Sequence, residues 1–165
     1  MIKRCLNVEL ESMLTVINDA AQAYYGVIPQ DAWHEPYMGR DELKSEIRAG
    51  VKFWGYYVKE CLVGVMGAQD KQDVTLIRHA YVCTSERRNG VGTKLLEHLE
   101  ECSKKPILVG TWADATWAIE FYKKNGYRLI LGDERGMLLE KYWTVSTEQA
   151  SASVVLANAK WTGSD

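Results

Sequence analysis

The stretch Tyr81-Val82-Cys83-Thr84-Ser85-Glu86-Arg87-Arg88-Asn89-Gly90-Val91-Gly92-Thr93 limits the folds open to this chain more than any other. An apolar run ends, a polar turn follows, and a helical pattern starts at once, so a strand passes directly into a helix. Such a unit needs a sheet beneath the helix and a further strand beyond it. Val91, Leu95, Leu96, Leu99 and Cys102 supply the helix's apolar face. The short apolar run 106–112 supplies the next strand. Upstream, 74–83 is one strand, and 52–59 and 61–69 form a hairpin meeting at Lys59-Glu60. That turn lacks the favoured Asn-Gly pair, which leaves its type open.

The flanks extend the pattern. Residues 2–6 read as a short strand. Met13, Leu14, Ile17, Ala20, Ala21 and Tyr24 mark an amphipathic helix over 8–25, and a second, shorter helix covers 41–49. Between them, 26–39 is a loop rich in breakers and aromatics. Downstream, Asp114 is placed to cap a helix carrying Ala118, Phe121 and Tyr122. Asn125-Gly126 ends that helix. Tyr127–Leu131 is a strand, 133–143 a helix set by Leu138, Leu139, Tyr142 and Trp143, and 153–157 a closing strand. Hairpin strands followed by strands alternating with helices predict an α/β (α+β) fold with a mixed sheet and helices on both faces. With no internal repeat or low-complexity run, residues 1–165 are expected to form a single domain.

Composition narrows the function. Twenty basic against 22 acidic residues give a net charge of −2, so there is no broad electrostatic footprint for nucleic acid or an anionic membrane. The N-terminus lacks the pattern of a signal peptide, and no apolar stretch nears the ~20 residues of a membrane span. Cys5, Cys61, Cys83 and Cys102 are dispersed, with no Cys-x-x-Cys pair. Metal-ligand spacing is absent, and reduced thiols in a cytoplasmic protein without a metal are expected.

The strand–loop–helix unit is suited to phosphate. A helix N-terminus presents unpaired N–H groups and a partial positive charge, and glycines let the backbone approach an anion closely. Spacing decides among the motifs that share this physics. A P-loop requires Gly-Lys-Ser/Thr, but Gly92 is followed by Thr93-Lys94. A dinucleotide fingerprint requires a third glycine where Leu95 stands.

Arg87, Gly90 and Gly92, as Arg-x-x-Gly-x-Gly directly after a strand, resemble the coenzyme A pyrophosphate loop of the GNAT superfamily of N-acetyltransferases. Ala118-Ile119-Glu120-Phe121-Tyr122-Lys123-Lys124-Asn125-Gly126-Tyr127 is similar to the same superfamily's A-x-x-F-Y-x-K-x-G-F segment, with Tyr127 as the final aromatic. The two motifs occur in the matching order. The resemblance covers 52–131 by motif and 2–50 by element order.

The resemblance implies a mostly antiparallel sheet of about seven strands, splayed at its centre between the strand ending at Cys83 and the strand 106–112. It implies acetyl-CoA as co-substrate. The pantetheine arm would pair with the main chain of Ala80, Tyr81 and Val82, and the pyrophosphate would lie on Arg87, Arg88, Asn89, Gly90, Val91, Gly92 and Thr93. Phe121 would be core. The implied activity is acetyl transfer to a small-molecule amine or a protein amino group.

Acetyl transfer needs a neutral amine, a polarised carbonyl and a stabilised thiolate. A lysine-like amine has pKa ~10.4 and a thiol ~8.5, so a base and a weak acid both help. Tyr122 matches the family's acid position, and a main-chain N–H at Tyr81 or Val82 would polarise the thioester carbonyl. Many relatives carry a glutamate eleven residues before the loop arginine, but here that position is Leu76. His79 is then the candidate base, with Glu46 and water as alternatives. Strict alternation would send Arg78 and His79 to opposite faces. Trp33 and Tyr37, with Tyr25, His34 and Glu35 nearby, are the candidate acceptor-site residues. The Trp112–Trp117 run and the 133–143 helix read as subfamily features. A non-catalytic acetyl-CoA sensor or assembly module is the main alternative function, and an ATP-binding protein is disfavoured by the failed motifs. A homodimer is neither required nor excluded by any residue pattern.

Overall fold

A computed structural model describes residues 1–163. The chain runs through Ile2–Arg4 (β1), Leu10–Ala21 (α1), Arg40–Arg48 (α2), Lys52–Val58 (β2), Cys61–Lys71 (β3) and Val74–Val82 (β4). It continues through Val91–Cys102 (α3), Ile107–Trp112 (β5), Thr116–Lys124 (α4), Arg128–Ile130 (β6), Gly132–Tyr142 (α5), Thr147–Ser151 (α6) and Ser153–Ala157 (β7). The seven strands form one sheet in the order β1-β2-β3-β4-β5-β7-β6. Every neighbouring pair is antiparallel except β4 and β5. The architecture is the mixed, mostly antiparallel α/β sheet expected from the sequence.

Apolar spacing explains how the helices sit. Leu10, Met13, Val16 and Ile17 of α1 and Leu43 of α2 pack on Phe53 and Val65. Leu95, Leu96 and Leu99 of α3 and Tyr122 of α4 cover the other face over Met66, Ile77, Ile107 and Val109. Leu138, Leu139 and Tyr142 of α5 close on Leu76, Leu108 and Val155. By strand alternation Leu76 and Arg78 share a face. Arg78 meets Glu46 of α2, so α5 lies on the same side of the sheet as α1 and α2.

Local chemistry sets the turns. Lys59 and Glu60 both have positive φ, 48° and 67°, the type I′ handedness that suits strand twist. Two ordinary side chains adopt it here in place of Asn-Gly. The α4 helix ends as expected: Gly126 has φ 89°, and the N–H groups of Gly126 and Tyr127 donate to the carbonyls of Lys123 and Tyr122 at 3.1 and 3.0 Å. Its start corrects the sequence reading. The cap residue is Ala115, with no side-chain cap bond. Asp114 contributes its main-chain carbonyl, which accepts from Thr116 at 2.9 Å. The short α6 was not anticipated; Ser146 caps it by accepting from the N–H of Gln149, and five residues are too few to show a helical period.

Candidate active site

The site forms where the one parallel pair comes apart. β4 and β5 are in register only at Thr75–Ile107, Leu76–Leu108 and Ile77–Val109. Beyond those pairs, β4 runs to Val82 and β5 to Trp112 without meeting each other. The β4 edge facing β5 therefore keeps main-chain groups for an extended ligand to pair with, as an added strand would.

The other edge of β4 carries a bulge. Arg78 pairs with Gly67 and Tyr81 with Val65, so His79 and Ala80 together oppose the single residue Met66. His79 sits at φ 58°, a left-handed conformation that histidine adopts more readily than most residues but that still stores strain. The bulge overturns the expected alternation. Arg78 and His79 converge on one partner, Glu46 of α2: His79 Nε2 lies 2.8 Å and Arg78 Nη2 3.5 Å from Glu46 Oε2. The Arg78 guanidinium also donates to Gln69 Oε1 at 3.3 Å. The hydrogen bond from His79 is the main cause that holds the Glu46 carboxyl below its ordinary pKa, with the Arg78 charge adding to it.

A cavity of about 250 Å³ occupies the gap, lined by Arg78, His79, Ala80 and Tyr81 from β4 and by Gly110, Thr111 and Trp112 from β5. Tyr122 lines it from α4. The Tyr122 side chain is buried, yet among the described residues its hydroxyl has no hydrogen-bond partner and is not sealed off. The hydroxyl therefore faces the cavity. Burial, and secondarily Tyr24, raise its pKa well above the ordinary phenol value, so it remains a proton donor at neutral pH. Leu76, where the resemblance would put a glutamate, is fully buried against α5.

The loop after β4 is anchored to α1. The N–H of Thr84 donates to Asp19 Oδ2 at 2.7 Å, and Arg87 Nη2 donates to the carbonyl of Ala20 at 3.4 Å. Asn89 donates to Glu86 at 3.1 Å. Arg88 and Gly90 have φ 66° and 76°, which turns successive N–H groups toward a common concavity. Among the described residues, the N–H groups of Arg88 through Thr93 have no main-chain partner. A Cβ built on Gly90 would meet no protein atom within 4 Å, so the space beside this array is clear. Gly92 serves packing: a Cβ there would stand 3.3 Å from the Phe121 ring.

On the acceptor side, Tyr37 lines the cavity and accepts a hydrogen bond from Trp112 Nε1 at 3.4 Å. Trp33 stands one ring behind, stacked on Tyr37 with centroids 5.8 Å apart. Tyr24 lies 5.3 Å from Tyr37 and 5.8 Å from Trp117. The sequence reading missed the lining contributed by Trp143, Thr144, Val145 and Gln149 around α6; nothing in their local pattern signals it. Asp19 was also missed, because an exposed helical acid carries no distinguishing signal.

Residues 49–129 match the family model described as an acetyltransferase (GNAT) domain. No curated protein matches the chain in sequence. Among solved structures, the chain is similar to the PaiA N-acetyltransferase from Thermoplasma acidophilum in complex with coenzyme A, at 17% identity and TM-score 0.75, covering 98% of both chains. It is similar to a GNAT-family acetyltransferase from Staphylococcus aureus Mu50 at 19% identity and TM-score 0.70, covering 96% of this chain and 97% of that one. The ribosomal-protein-S18-alanine N-acetyltransferase from Escherichia coli is similar at 15% identity and TM-score 0.69, covering 100% and 96%. Just under half of the chain thus matches the GNAT acetyltransferase domain, and the whole chain has the fold of the GNAT-family acetyltransferases of solved structure.

Proposed function

We propose that this chain moves an acetyl group from acetyl-CoA to a primary amine by direct attack, with Tyr122 as general acid and His79, held by Glu46, as the acceptor of the amine's proton. The observation that carries the reading is the placement of the Tyr122 hydroxyl and the His79 imidazole on one cavity at the parting of β4 and β5. The loop suits the co-substrate, because the free N–H groups of Arg88 to Thr93 and the clear space at Gly90 match a pyrophosphate. Arg88 is exposed and adds charge, while Arg87 ties the loop to α1. Ala80, Tyr81 and Val82 would pair with the pantetheine arm.

In the reaction, the amine nitrogen bonds to the carbonyl carbon and the carbon–sulfur bond breaks. His79 collects the proton the amine must shed, and Tyr122 gives a proton to the departing thiolate. Solvent returns the proton balance. A main-chain N–H near the bulge, or at Tyr81 or Val82, polarises the carbonyl. Thioesters are already activated, so positioning supplies much of the acceleration. The free cysteines and the demand for acetyl-CoA support a cytoplasmic setting. Among the described residues, no helix is long and apolar enough to cross a membrane.

Leu76 in place of an acid favours one second reading, a module that binds acetyl-CoA without turnover. Thiol release from acetyl-CoA across a panel of amines decides between the two, since binding without release leaves only the second. Within the first, His79→Asn is expected to lower kcat by roughly 100-fold, within the range of a lost acid–base group. Asparagine accepts positive φ, so the bulge survives and acetyl-CoA affinity by calorimetry should not change. Equal kcat would remove His79 from the chemistry.

Glu46 gives a prediction in stability. Its folded pKa is depressed, so its contribution is fully present above the ordinary carboxyl value of 4.5 and is lost as pH falls through the folded value. Glu46→Gln should therefore unfold at lower urea than wild type near pH 7, and the difference should shrink at about pH 3. An equal deficit at both pH values would show that the carboxylate's charge is not what stabilises.

A further inference from the structure

We infer that the acceptor is a primary amine on a flat, uncharged body, an arylalkylamine being the simplest case, and that Trp143 selects it; this rests on the transferase reading above. Gly110 follows Val109, the last β5 residue to pair with β4. The indole of Trp143 takes the place a side chain there would fill. A Cβ on Gly110 would lie 3.2–3.3 Å from Trp143 Cε2, Cζ2 and Nε1. The ring thus rests against the β5 main chain where the strands part, and it lines the same cavity as His79 and Tyr122. Tyr24, Tyr37 and Trp112 bound that cavity as well.

Charge on this cavity points the same way. The charged groups among its lining residues are Arg78 and, when protonated, His79. The adjoining carboxylate, Glu46, is engaged by both, at 2.8 Å from His79 and 3.5 Å from Arg78. Within the lining a second ammonium on the acceptor would meet Arg78 and no carboxylate, which penalises polyamines; Glu42, whose charge acts on Tyr37, stands outside it. A flat apolar body instead gains aromatic contact on several sides. The volume of about 250 Å³ lies at the small end of small-molecule pockets, which run from roughly 300 to 1,000 Å³. That space suits one ring on a short arm better than the surface of a folded protein.

The test uses the full chain at saturating acetyl-CoA, with initial rates of thiol release for 2-phenylethylamine, spermidine, glycinamide and a peptide with an N-terminal alanine. We expect kcat/KM for 2-phenylethylamine to exceed each of the others at least tenfold. W143A should erase most of that margin through KM while acetyl-CoA affinity stays unchanged, and W143F should restore much of it. Should W143A fail to fold, W143F and the wild-type ranking still decide. Preference for spermidine or the peptide overturns the inference, as does a W143A variant that slows every acceptor equally. Turnover of other amines alone overturns only this inference; acetyl-CoA binding without any turnover, or no binding, overturns the transferase reading and the inference with it.

Discussion

Tyr122→Phe is expected to lower kcat by about 10²–10⁴-fold while leaving the acetyl-CoA dissociation constant nearly unchanged. The substitution removes one oxygen from a ring that keeps its place. Tyr122 packs on Phe121 and Tyr127 with ring centroids 5.0 and 5.6 Å away, and those contacts survive in phenylalanine. No protein hydrogen bond is lost among the described residues, because the hydroxyl faces the cavity without a partner. The melting temperature should accordingly stay close to wild type. Burial keeps this phenol protonated, so the lost group is a donor, and the deficit should fall on departure of the thiolate. Acetyl thioesters of CoA-like thiols more acidic than coenzyme A should recover part of the rate in the variant. Unchanged turnover with acetyl-CoA would remove the acid role.

Gly90→Val is the second large effect, and it falls on binding. At φ 76° a β-branched residue is strained, by roughly 1–2 kcal/mol for the left-handed region. Its side chain would also fill the space beside the free N–H groups of Arg88 to Thr93. We expect acetyl-CoA affinity by calorimetry to fall at least 100-fold. Strain and occlusion are separable with Gly90→Asn, which accepts positive φ but still adds a side chain. That variant should regain stability without regaining affinity. Wild-type affinity in the valine variant would mean that the loop does not hold the co-substrate.

Elements with a local cause were legible in the sequence. The apolar period of 91–102, the glycines at 90 and 92, and the Asn125-Gly126 stop each act within one turn of chain, and each lies where the pattern placed it. The His79–Ala80 bulge is different, because it is a two-to-one count against Met66 on another strand. Neither strand's own residues announce it, so alternation wrongly separated Arg78 from His79. Glu46 was only one alternative for the same reason: its link to His79 spans 33 positions and depends on where α2 crosses the bulge. Trp143 and Gly110 are a second long-range pair, visible only once α5 has docked beside β5. Asp114 erred the other way, since a favoured capping residue was displaced by a tight main-chain turn that put Ala115 at the cap.

The strand order carries a consequence for synthesis. β6 pairs only with β7, and β7 stands between it and β5. As the chain leaves the ribosome, β1 to β4 can zip together in sequence, each beside its predecessor. β5 can then join β4 over three pairs, but β6 must wait for residues 153–157 before it has any partner. The half of the sheet that braces the far side of the cleft is therefore completed last, after α5 and α6 have emerged. A nascent chain halted before Ser153 would hold its phosphate loop and His79 on a nearly finished half-sheet, facing a wall not yet built.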